Sequence, residues 1–108
     1  MMSNPNFEFQ LSESGKSGLL TCRRELNVQY AAELKSTLVD ALSQVEQLVL
    51  NLEQVTEIDL SGIQLLYSVF QTAQEENKQV KLTGNCPVGV KHAIEDSGYT
   101  NYSWLNFG

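Results

Sequence analysis

The residues whose types and spacing could do chemistry lie mid-chain, in Val55-Thr56-Glu57-Ile58-Asp59-Leu60-Ser61-Gly62-Ile63-Gln64-Leu65-Leu66. An apolar run with strand character, Leu48-Val49-Leu50-Asn51-Leu52, comes just before it, and an apolar-rich helical pattern from Ile63 to Ala73 follows. A serine at that junction stands among the first amides of a helix, which have no partner within the helix. Two uses follow. Ser61 with Gln64 fits the S-x-x-[EQ] capping box, in which the hydroxyl accepts from a first-turn amide and the Gln64 side chain reaches back. A phosphate on the same hydroxyl would instead rest against those amides and the positive end of the helix dipole, which makes Ser61 a switchable position. Residue types alone leave both open.

Glu53, Glu57 and Asp59 crowd three carboxylates around the same loop. Strand exit and helix start aim them in different directions, so they read as a solvated acidic rim and not as an acid–base pair. Asp59 is the exception to hold, because two residues from Ser61 it could orient the hydroxyl, bind a metal carried by a partner, or act as a second cap. His92 is the single histidine, lies off the apolar stripe of its helix, and reads as a solvated surface residue. Cys22 and Cys86 are far apart with no second cysteine near either, which does not supply the clustered ligands of a zinc site. Both read as free, buried structural thiols. No glycine-rich phosphate loop, nucleophile elbow or dinucleotide fingerprint occurs, so the chain is not expected to be an enzyme or to carry a cofactor. Anion or nucleotide binding at the helix terminus alone has no glycine-rich cradle behind it.

Thirteen acidic residues against seven basic ones give a net charge of −6. A field of that sign repels phosphate backbones and anionic lipid, so a protein partner is expected, with neither nucleic acid nor membrane insertion. No stretch approaches a membrane span and the first ten residues lack a leader pattern, so the protein is expected to be cytoplasmic. One hundred and eight residues at 42% hydrophobic composition make one domain with one core.

The elements that must position the loop follow from periodicity. Met1 to Asn6 is expected to fray. Phe7 to Leu11 alternates as a half-buried strand, Ser12 to Gly18 is turn material, and Leu19 to Cys22 completes a hairpin. Asn27 can cap a helix with apolar positions Ala31, Leu34, Leu38, Ala41, Leu42 and Val45, leaving Glu33, Lys35, Asp40 and Gln44 wet. Gln47 to Leu52 reads as a central strand, reached by a right-handed parallel crossover. The helix from Gly62 to about Glu76 turns Ile63, Leu66, Phe70 and Ala73 to the core, while Leu65, Tyr67 and Val69 widen its apolar arc towards a docking surface or further burial. Gln79 to Thr83 is a strand whose flanking Lys78 and internal Lys81 suit a sheet edge. A last helix runs from about Val88 to Ser97 with Pro87 at its start and Gly98 as terminator. Tyr99 to Gly108, with Tyr102, Trp104, Leu105 and Phe107, reads as a closing segment packed on the domain. The sum is an α/β fold, a small mixed sheet made of an N-terminal hairpin plus parallel strands with helices packed on it.

Asp59-Leu60-Ser61-Gly62 after an apolar strand, followed by Ile63-Gln64-Leu65-Leu66, resembles the signature of the STAS domain family, the sulfate transporter and anti-sigma-factor antagonist domains. Element order extends the resemblance over about residues 7 to 98 of a single STAS-like domain. Matched by position, Asp59 falls on the family's aspartate, Ser61 on its phospho-acceptor and Gly62 on its glycine. Leu60 stands where the family usually carries a small hydroxyl residue. The resemblance implies a phospho-site loop at the carboxyl ends of the parallel strands, the edge where open α/β sheets generally bind ligands. It also implies a non-catalytic phosphoprotein of signal transduction and transcription regulation, an anti-sigma factor antagonist. Such a protein binds a kinase-fold anti-sigma factor or switch kinase through Glu57, Asp59, Leu60, Gly62, Gln64 and Leu65, and phosphorylation of Ser61 releases it. The alternative drawn from the same resemblance is a constitutive subunit of an ABC-type lipid transport system, docked on the ATPase, with Ser61 only a helix cap.

Overall fold

The computed structural model describes residues 6–97. Strand β1 (Phe7–Leu11) pairs antiparallel with β2 (Ser17–Leu26), and β2 pairs in parallel with β3 (Gln47–Ile58), which pairs in parallel with β4 (Gln79–Thr83). The sheet order is β1-β2-β3-β4. A short 3-10 turn (Val28–Tyr30) leads into α1 (Ala31–Ser43), α2 (Leu60–Glu75) joins β3 to β4, and α3 (Val88–Asp96) follows β4. This is the expected mixed sheet with helices packed on it, and Lys81 stands on an edge strand among the described residues. Of the start expected to fray, residues 1–5 lie outside the described residues, as do the Gly98 terminator and the closing segment Tyr99 to Gly108, whereas Asn6 is buried and its carbonyl accepts from the Arg23 amide at 2.8 Å, which ties it to β2.

Register shows which face is the core. Gly18, Leu20 and Cys22 of β2 share a face with Leu48, Leu50 and Leu52 of β3, and all six are buried. The helices cover that face with Leu34, Leu38, Ala41 and Leu42 of α1, Ile63, Leu66, Val69 and Ala73 of α2, and Val90 and Ile94 of α3. Each leucine, isoleucine and valine among them contributes about 1.5–3 kcal/mol by leaving water. On the opposite face, Leu19 and Val49 sit among Gln10, Thr21, Asn51 and Thr83, the mixed pattern of a sheet face near solvent.

Both central strands run further than periodicity suggested. β2 continues past Cys22 to Leu26, and β3 continues past Leu52 to Ile58. Alternation in β3 breaks because its register against β2 slips twice, between Thr21 and Arg23 and between Arg24 and Glu25. Each slip adds one residue to β3, so the buried positions step from Leu52 to Val55 to Ile58. At the first slip the Asn51 Oδ1 accepts from the Glu53 amide at 2.8 Å, satisfying a donor that the ladder leaves out. Arg24 meets the second slip with a φ of 62°. The helices also shift. Asn27 caps the 3-10 turn through Gln29 and not α1 itself, whose first residue is Ala31 with no side-chain cap. In α2 Val69 is buried and Phe70 only partly so, the reverse of the expected order. Lys78, which flanks the edge strand, also ties to α1: its Nζ donates to the Leu42 carbonyl at 2.7 Å near the end of that helix.

Burial separates the two thiols. Cys22 is fully enclosed in the core and its thiol is pushed up to about 12 by desolvation. Cys86 is half-buried, and burial raises it too, partly offset by Lys91. Since the thiolate is the reactive form, Cys22 is expected to resist alkylation in the native protein at neutral pH and Cys86 to react more slowly than a free thiol. Counting modified thiols by mass before and after guanidinium unfolding checks this, with rapid native labelling of Cys22 as the contrary result.

Candidate functional site

β2 and β3 end side by side, Leu26 opposite Ile58, and each feeds a helical segment at the same edge of the sheet. Asp59 fastens them together. Its backbone amide donates to the Leu26 carbonyl at 3.1 Å, one carboxylate oxygen accepts from the Gly62 amide at 3.1 Å, and the other accepts from the Val28 amide at 3.1 Å. The Asp59 backbone is extended, with φ −111° and ψ −177°, as an N-cap requires. Asp59 is therefore the cap of α2, and the capping box of Ser61 with Gln64 is not what forms. The helix begins at Leu60, two residues earlier than its sequence pattern indicated, which places Ser61 at the second helical position. Carboxylate in place of hydroxyl makes the stronger cap here, because its charge also faces the positive end of the helix dipole.

Gly62 has a steric reason to be glycine. A Cβ there would run into the Leu26 backbone carbonyl and reach 3.0 Å from Ile58 Cγ1. The start of α2 can lie this close to the end of β2 only without a side chain.

Around this knot the expected site residues separate into groups. Leu60 is 52% exposed at the first turn. Ser61 and Leu65 are half-buried and Gln64 is exposed, and together with Ala31, Ala32 and Lys35 of α1 they line a shallow depression of about 320 Å³. A narrower groove of about 230 Å³ runs on between α1 and α2 past Lys35, Leu38, Val39, Leu42, Leu65 and Val69. The acidic rim does not assemble around Ser61. Glu57 is opposite Glu25 on the strands. Glu53 lies against Gly84 at the β4–α3 turn, where a Cβ would strike its carboxylate. Asp59 has both oxygens engaged by backbone amides, so its role is to cap and to join, not to orient the serine hydroxyl. Among the described residues no group of three histidine, cysteine or acidic side chains could hold a metal ion. His92 is exposed on α3.

Sequence reasoning missed Ala31, Ala32 and Lys35 as site residues. The one signal available was their spacing, which puts Lys35 on the face of Ala31 and Ala32; nothing in the chain says that this face meets the start of α2.

A family model described as "Mlab, STAS domain" matches residues 9–98, and the chain belongs to the STAS domain family. The fold agrees. The anti-sigma factor antagonist SpoIIAA in its unphosphorylated form superposes with a TM-score of 0.72 at 16% identity, covering 89% of this chain and 84% of that one. An anti-sigma factor antagonist from Mycobacterium paratuberculosis gives 0.66 at 16% identity over 93% and 86% of the two chains. A sulfate transporter family protein from Wolinella succinogenes gives 0.65 at 16% identity over 92% and 80%. No curated protein sequence matches. Among the described residues no helix is long and apolar enough to cross a membrane.

The cap assignment makes a direct test. Asp59→Ala is expected to cost about 1–2 kcal/mol or more of unfolding free energy, because it removes a cap and a strand-to-helix tie together. Gly62→Ala is expected to cost about 1–3 kcal/mol through overpacking against Leu26. Ser61→Ala should stay within about 0.5 kcal/mol of the native chain. Urea melts of the three variants decide it, and a Ser61→Ala loss as large as that of Asp59→Ala would restore the capping box.

Proposed function

We propose that this chain is a non-catalytic interaction domain of the anti-sigma-factor antagonist kind, which binds a kinase-fold protein at the start of α2 and is released when Ser61 is phosphorylated. The observation that carries this reading is that Asp59 does the capping, so the Ser61 hydroxyl is not spent on holding the helix. It sits instead on the rim of a depression beside exposed Leu60 and Gln64. In the reaction Ser61 Oγ takes the γ-phosphoryl group of ATP, ADP departs and the hydroxyl proton goes to solvent or to a base of the kinase. The added charge of about −1.5 to −2 then stands against a partner surface fitted to an uncharged Leu60, Leu65 and alanine pair. Structural likeness to SpoIIAA, which has also been solved in its phosphorylated form, supports the reading. A helix N-terminus is moreover a position where phosphate is electrostatically tolerated. Action on the soluble side of a signalling pathway, in the cytoplasm, belongs to the same proposal.

A second reading has its own support. Leu60 offers an exposed apolar side chain where a hydroxyl is usual in the family, and the matching family model bears the MlaB description. Both fit a constitutive subunit of an ABC-type lipid transport system, bound to its ATPase without a phosphorylation cycle.

Capture from source-cell lysate with the native chain, Ser61→Ala and Ser61→Asp as baits separates the two. The switch predicts a kinase-fold protein, identified by mass spectrometry, that the first two baits retain and Ser61→Asp loses by tenfold or more. An ATPase held equally by all three would replace the switch with the constitutive subunit.

A further inference from the structure

Both α1 and α2 start at the carboxyl edge of the parallel strands, so their first turns lie together. The charged groups at that edge are Glu25, Glu57 and Glu33, the amide-bound Asp59, and Arg24 near the end of β2, in a chain of net charge −6. The cation lining the depression with Ser61 is Lys35. Helical side chains lean towards the N-terminus of their own helix, which carries the Lys35 stem over Ala31 and Ala32 towards the start of α2. Those two alanines, small enough to leave that path open, line the same depression. Lys35 itself is exposed, and among the described residues no carboxylate forms an ion pair with it.

We infer that Lys35 is the internal counter-ion for a phosphate on Ser61, pairing across from α1 to the first turn of α2 and closing the depression on which a partner would dock. Phosphorylation then acts twice. It adds charge at the rim, and it draws the lysine over the apolar floor formed by Ala31, Ala32 and Leu65. A flexible four-carbon stem and three donors suit this task, since an ammonium can follow a phosphate that is not held rigidly. The inference rests on Ser61 as the phosphate acceptor and adds to it the residue that reads the modified state.

The test needs neither the kinase nor the partner. Phosphoserine is installed at position 61 during translation, in the native chain, in Lys35→Gln and in Lys35→Arg, and the second phosphate ionisation is followed by ³¹P resonance against pH. A nearby cation favours the dianion, so the native and Lys35→Arg chains are expected to titrate roughly 0.5 in pH below Lys35→Gln. The helix terminus alone would lower all three alike, and a common midpoint therefore overturns the pairing. Circular dichroism on the same samples verifies that each is folded. Because the phosphate is built in, this result is independent of whether lysate and ATP label Ser61. Absence of that labelling removes the switch, whereas a common midpoint removes only Lys35.

Discussion

The constraint on which the rest depends is the close approach of the α2 start to the end of β2. The Leu26 carbonyl lies so near Gly62 that no side chain fits between them, and Asp59 spans the same gap with three hydrogen bonds to Leu26, Val28 and Gly62. A carboxylate tied to two backbone amides on different segments fixes their relative position more firmly than either segment could by itself. It also serves amides at two helical starts, that of the 3-10 turn and that of α2, which would otherwise be left without partners. The surface offered by Leu60, Ser61 and Gln64 is thus presented by a rigid junction at the sheet edge.

The sheet makes that junction possible by being irregular. Two extra residues in β3 let its far half keep turning Val55 and Ile58 to the core while the strand twists towards α2. Had β3 kept strict alternation past Leu52, the residues facing the helices would have been Gln54 and Thr56, and the start of α2 would have lost its apolar footing. The cost of bulging is an orphaned amide at Glu53, offset by the Asn51 side chain, and a left-handed residue at Arg24. Leu52 before the irregularity and Val55 and Ile58 beyond it, all buried, keep the strand in place.

Electrostatics at this edge is governed by what each carboxylate is used for. A carboxylate committed to backbone amides, as in Asp59, is a structural part and contributes little to the field that a partner meets. Glu57 and Glu25 face each other across β2 and β3 and remain available to that field. Ser61 instead shares its depression with Lys35 and with no carboxylate, so a charge placed on the serine would face the cation of α1.

Much of this was legible in the chain. The hairpin, the order of strands and helices, the apolar stripe of α1 and the parallel centre all follow from period and turn chemistry, because those features are set by near neighbours in sequence. The motif Asp59-Leu60-Ser61-Gly62 marked the junction correctly, and Gly62 announced a tight approach without saying to what. What sequence could not assign was the division of labour inside the motif. Asp59 and Ser61 are both good caps by type, and only the position of Leu26 and Val28, more than thirty residues away along the chain, decides that the aspartate takes the amides and the serine is left at the rim. The same holds for Lys35, whose meaning comes from a helix packed beside it, and for the bulges of β3, which exist only relative to β2. Local pattern determines which elements form; contacts between segments distant in sequence, where sterics and hydrogen-bond satisfaction compete, decide which side chain does what.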